Sequence, residues 1–134
     1  EELGINISFD NLISIGIRQT AVTLAPNYIN NEFQHIFILP ENRDLSQYEL
    51  HLNEEVSGLI EVSIEDGINL IQRRTNQIKG KGIFFDGENQ DESDIELTIN
   101  DFVPNYLKTD QFFLRMFIAA HRYVQGENTN LILW

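Results

Sequence analysis

Nine consecutive residues, Asp86-Gly87-Glu88-Asn89-Gln90-Asp91-Glu92-Ser93-Asp94, hold a dense run of hard oxygen donors. Carboxylate and amide oxygens of this kind are what calcium requires. The spacing does not match an EF-hand, because the sixth position from Asp86 is Asp91 where that loop needs glycine and the twelfth is Leu97 where it needs glutamate. The expectation for 86–94 is a solvated acidic loop, with Glu88, Asp91, Glu92 and Asp94 as candidate contacts to a basic partner.

A second cluster has the opposite sign. Arg73, Arg74, Lys79 and Lys81 place four of the nine basic residues within nine positions of an otherwise acidic chain. At a helix end flanked by Gly80 and Gly82, these cations suit a phosphate or an acidic partner. They equally suit the negative end of a helix dipole. The glycines do not form a phosphate loop, since no strand-loop-helix order with the required lysine and hydroxyl follows them.

Three imidazoles, His35, His51 and His121, are the available general bases or nitrogen ligands. None sits in an HExxH arrangement, and the chain holds no GxSxG, Walker A or GxGxxG pattern. His121 precedes Arg122 near the end of the last helical segment, where an imidazolium interacts favourably with the dipole and needs no active site. The absence of cysteine removes disulfides, thiolate metal sites and thiol nucleophiles together. No catalytic residue, metal ligand or cofactor is therefore assigned. Asn6-Ile7-Ser8 matches a glycosylation sequon, a pattern too short to carry weight.

These groups must be positioned by elements readable from apolar spacing. Ile5 to Phe9 alternates, and Ile13, Ile15 and Ile17 continue the period of two, which predicts two strands. A helix over 11–25, capped by Asp10 and stopped by Pro26, is the competing reading. Residues 27–32, polar and following a proline, read as a surface loop. Phe33 to Leu39 reads as a strand central in a sheet, followed by half-buried strands at Tyr48 to Leu52 and Leu59 to Val62. Ser63 and Asp66 resemble a capping box opening an amphipathic helix over 64–79, which Gly67 weakens by about 1 kcal/mol relative to alanine. Strands follow at Ile83 to Phe85 and at Ile95 to Ile99. The last helix is predicted from a Thr109 cap to Gly126, with Phe112, Phe113, Met116, Phe117 and Ala120 on its apolar face. Leu131 to Trp134 reads as a short terminal strand.

The expected fold is α+β over 1–134 as one domain: a mainly antiparallel sheet with two helices, the C-terminal helix packed across it. The 134 residues suit a single core, and 42% hydrophobic residues supply enough apolar material to offset the entropy of ordering the chain. No apolar run approaches the ~20 residues that span a bilayer. The chain begins at Glu1 with no basic-then-apolar leader, which reads as a processed product or a domain excised from a longer chain.

Twenty-one acidic against nine basic residues give a net charge of -12. Such a field repels nucleic acid phosphate and anionic headgroups, so the expected partner is a protein, and a basic one suits best. The resulting expectation is a non-catalytic protein-binding or assembly domain, or an acidic inhibitor of a basic partner. Partner contacts are expected at Glu88, Asp91, Glu92, Asp94, Arg73, Arg74, Lys79 and Lys81. The alternative is an enzyme whose carboxylates and histidine converge only in the fold.

Overall fold

Two antiparallel sheets and three helices make up the computed structural model, which describes residues 3–25, 28–50 and 56–127. The first sheet is a long ribbon of β1 (Ile13–Ala25) and β2 (Tyr28–Ile38), paired from Ile13 opposite Ile38 to Ala25 opposite Tyr28. Its β-branched residues favour extended backbone. The register shifts between Ser14 and Gly16, and Gly16 takes φ +152, where a side chain would be strained.

The strand reading of Ile13 to Ile17 thus prevails over the helix. Ile5 to Phe9 is not a strand: Ser8 instead accepts from the Asp10 amide and opens a 3-10 turn at Phe9–Asn11. The loop expected over 27–32 is corrected too, since 28–32 belong to β2. Polar side chains are cheap there because Asn31 and Glu32 lie exposed on a strand with a single neighbour. For the same reason Phe33 to Ile38 lies in a two-stranded ribbon rather than centrally in a sheet.

The second sheet has the order β3-β4-β5, with β3 (Gly58–Val62), β4 (Gln77–Phe85) and β5 (Gln90–Thr98) antiparallel throughout. Between β3 and β4 runs α1 (Ile64–Ile71), capped by Ser63, which accepts from the Asp66 amide at 3.3 Å. The helix expected through Lys79 stops at Ile71. Arg73 adopts left-handed backbone at φ +58, and the Arg74 amide donates back to the Asn69 carbonyl at 2.8 Å. Ile78 and Lys79 then pair with Leu97 and Glu96 as strand residues. Ile78 is buried through a period of two that its helical spacing concealed.

The acidic loop is likewise shorter than expected. Only the turn around Asp86 to Asn89 is a connection, and Asp91, Glu92 and Asp94 lie on β5. Cross-strand lysines make this tolerable, with Lys81 opposite Asp94 and Lys79 opposite Glu96. The strand expected from Tyr48 does not form: a 3-10 turn at Leu45–Gln47 is followed by irregular chain at Tyr48 and Glu49 and a 3-10 residue at Leu50; Leu52 lies outside the described residues. The Gln90 side chain accepts from the Leu50 amide at 3.0 Å and donates to the Tyr48 carbonyl at 2.8 Å. Those are backbone groups a neighbouring strand would otherwise satisfy.

After β5, α2 (Pro104–Lys108) opens on a proline and α3 (Phe112–Val124) follows. Thr109 is not the cap of α3 but the C-cap of α2, its amide donating to the Asn105 carbonyl; Gln111 precedes α3 in left-handed backbone. Gly126, at φ +74, ends α3 as expected. The terminal strand proposed at Leu131 to Trp134 lies outside the described residues. Leu45, Leu50 and Ile83 form one buried cluster, and Leu70 and Ala119 are buried on α1 and α3. Helix α3 packs on α1, which also contacts β4, and α3 reaches the ribbon through Phe112 beneath Arg18. The fold is α+β and antiparallel, with the C-terminal helix in contact with a sheet.

Candidate functional site

The register of the three-stranded sheet puts Glu61, Lys81 and Asp94 side by side on one face. Lys79 with Glu96 and Glu92 share it, and Lys81 lies 3.9 Å from Glu92. Four residues expected in two separate patches, Lys79, Lys81, Glu92 and Asp94, are thus interleaved, and their charges largely offset. Asp91 pairs with Phe84 and points to the other face. Glu88 sits in the exposed turn, where its amide and that of Asn89 donate to the Asp86 carboxylate at 2.9 and 2.8 Å. Led by the Asn89 amide, these bonds hold the Asp86 carboxyl below its ordinary range.

Arg73 and Arg74 lie exposed beyond α1. Arg74 and Lys79 border an open depression of about 500 Å³ shared with Asp66, Asn69, Thr75, Gln77 and Ile78. Its single carboxylate and two cations leave a weakly basic hollow. On β5, an outer strand, four acids between Asp91 and Glu96 present charge to any incoming chain, a common way to blunt a sheet edge.

His35 lies exposed on β2, stacked on Phe37 with centroids 6.4 Å apart. His121 is exposed in the last turn of α3, and His51 lies outside the described residues. Among the described residues no three histidines or acids gather as metal ligands.

The ribbon supplies the feature that residue types did not announce. Register places Ile17 with His35, Gln19 with Phe33, Ala21 with Asn31 and Thr23 with Ile29, all on one face. Ile17 is 51% exposed, Ile29 64% and Phe33 68%. Toward the base of this face Phe9 meets Phe37 edge to face at 5.5 Å, and Phe9 is itself 70% exposed. Ile29, Phe33 and Phe37 recur every four residues, and the polar Asn31 and His35 at the same-face positions between them hide the period of two.

The opposite face is anchored. Arg18, 5% exposed, forks onto Asp110 through Nε and Nη2 and donates from Nη1 to Gln34 Oε1 at 3.0 Å. Its guanidinium lies over the Tyr106 and Phe112 rings, 4.3 and 4.6 Å from their centroids. Burial opposes its charge, but hydrogen bonding to Asp110 and Tyr106 outweighs that and raises its pKa. This anchor fixes which ribbon face turns toward the helices and leaves the uncharged face outward. Comparison with protein-family models, curated proteins and solved structures returns no match.

Proposed function

We propose that this is a non-catalytic protein-binding or assembly domain whose docking surface is the uncharged outer face of the β1–β2 ribbon. The supporting observation is the exposure of Ile17, Ile29 and Phe33 on a single face of a ribbon whose strands run 13 and 11 residues. Scattered surface hydrophobics need no explanation, but a row of large ones in register invites a partner. Each fully covered side chain of this size contributes about 1.5–3 kcal/mol. A two-stranded ribbon is also marginal alone and gains stability when a second layer covers its apolar side. The acids on β5 guard that sheet's edge, whereas Gln19 to Ala25 of β1 contains no charged residue.

The residues Glu88, Asp91, Glu92 and Asp94 then shape the long-range field that an approaching partner meets instead of docking, and Arg73, Arg74, Lys79 and Lys81 temper that field locally. No helix among the described residues is long and apolar enough to cross a membrane. The test is a photo-reactive side chain at position 33, with another at position 88, in the cell of origin. Cross-linking to protein from position 33 and not from 88 is expected. Protein cross-links from 88 alone would overturn the assignment of the ribbon.

A further inference from the structure

We infer that the occupant of the ribbon's outer face is a second copy of this chain, packed face to face about a two-fold axis at Asn31; this rests on the docking role proposed above. The exposed residues of β2 are self-complementary. Ile29 and Phe33 flank Asn31 symmetrically on one face, about 13 Å apart at the usual strand rise. A second ribbon laid antiparallel on the first therefore sets Ile29 against Phe33 twice and Asn31 against Asn31 on the axis. The same patch serves both copies, as an isologous dimer requires. Sheets stacked in this way lie about 10 Å apart, a spacing that isoleucine and phenylalanine fill from both sides.

Charge selects a second copy over a basic partner. Ile17, Gln19, Ile29, Asn31, Phe33 and His35 include no acid, in a chain of net charge -12. A surface shaped for a basic protein would present its carboxylates at the contact. Here the outward face of the ribbon presents no carboxylate, and the one acid of β2, Glu32, lies on the opposite face, where its carboxylate accepts from the Gln34 side chain at 3.1 Å. Two such acidic chains can approach where acid is absent, and their remaining charges repel from a distance. Self-association should therefore strengthen as salt screens that repulsion, opposite to the response of an acid-base pair.

The experiment is sedimentation velocity on the full chain at low and high sodium chloride, with Asn31→Asp and Asn31→Lys variants alone and mixed. The wild type is expected to form a dimer whose population rises with concentration and with salt. Each variant alone should lose about tenfold or more in self-association, because like charges face each other on the axis. An equimolar mixture should recover the dimer, a rescue that misfolding does not produce. A wild type monomeric at every concentration, a dimer indifferent to both variants, or a mixture without rescue would overturn the inference. If the wild type is monomeric while position 33 still cross-links to another protein, self-pairing fails and the docking surface stands.

Discussion

At Gly67 a Cβ would run into the Phe117 ring, so glycine is what lets α1 and α3 approach at this point. Helix propensity alone favours Gly67→Ala by about 1 kcal/mol, whereas overpacking costs about 1–3 kcal/mol. The substitution should lower the chemical denaturation midpoint, and adding Phe117→Leu should recover part of the loss. An unchanged or raised midpoint for Gly67→Ala would mean that the two helices pack less closely. In the sequence this glycine was legible only as a weak point of a helix; its reason lies on α3, fifty positions away. Arg18 was equally illegible, because burial of a lone arginine in a strand depends on Asp110, Tyr106 and Phe112 arriving from the helical segment. Asp110→Ala leaves that charge without its carboxylate and should destabilise by about 3 kcal/mol. The double variant Arg18→Met/Asp110→Ala should be the more stable of the two in urea, since no buried charge remains.

Among the elements, α3 was the most legible, and its apolar face explains why. Phe113 meets Phe102, Tyr106 and Phe112, and Phe117 covers Gly67, yet both rings remain half-buried. Phe113→Ala and Phe117→Ala should each cost about 3 kcal/mol, the low end for losing a core ring, as read from urea midpoints. Less legible were 64–79 and 86–94. Ile78 satisfies a helical and an extended period alike, and only the left-handed turn at Arg73 decides between them. Acids on an edge strand look like a loop when their cross-strand lysines are distant in sequence. The β4–β5 turn has its own signature in pH. Asp86 is held below its ordinary 3.8 by the Asn89 and Glu88 amides, so its contribution is complete above 3.8 and is lost as pH falls through the lower folded value. Asp101, lowered chiefly by the Thr98 amide, behaves alike at the end of β5. Asp86→Asn should flatten the acid-induced loss of amide protection in the β4–β5 turn; an unchanged pH profile would remove Asp86 from this role.

For the molecule as a whole, net charge and cysteine content were legible at once, but the exposed apolar face of the ribbon was not, because polar residues on β2 hid a register that pairing alone creates. Charge and docking should separate experimentally. Neutralising Glu88, Asp91, Glu92 and Asp94 together should alter the salt dependence of association and leave the fold intact, since exposed substitutions usually cost under about 0.5 kcal/mol. An unchanged salt response would deny these acids a part in the long-range field. The central claim, that the outer ribbon face is covered by protein in the working state, is open to a direct measurement because the chain has no cysteine of its own. A single thiol introduced as Gln19→Cys, on the same face beside Phe33, with Glu88→Cys as reference, can be titrated by maleimide in the cell of origin and in the dilute purified domain. The thiol at position 19 should react several-fold more slowly in the cell, relative to that at position 88, and lose this protection on dilution. Equal relative rates in both settings would contradict the claim.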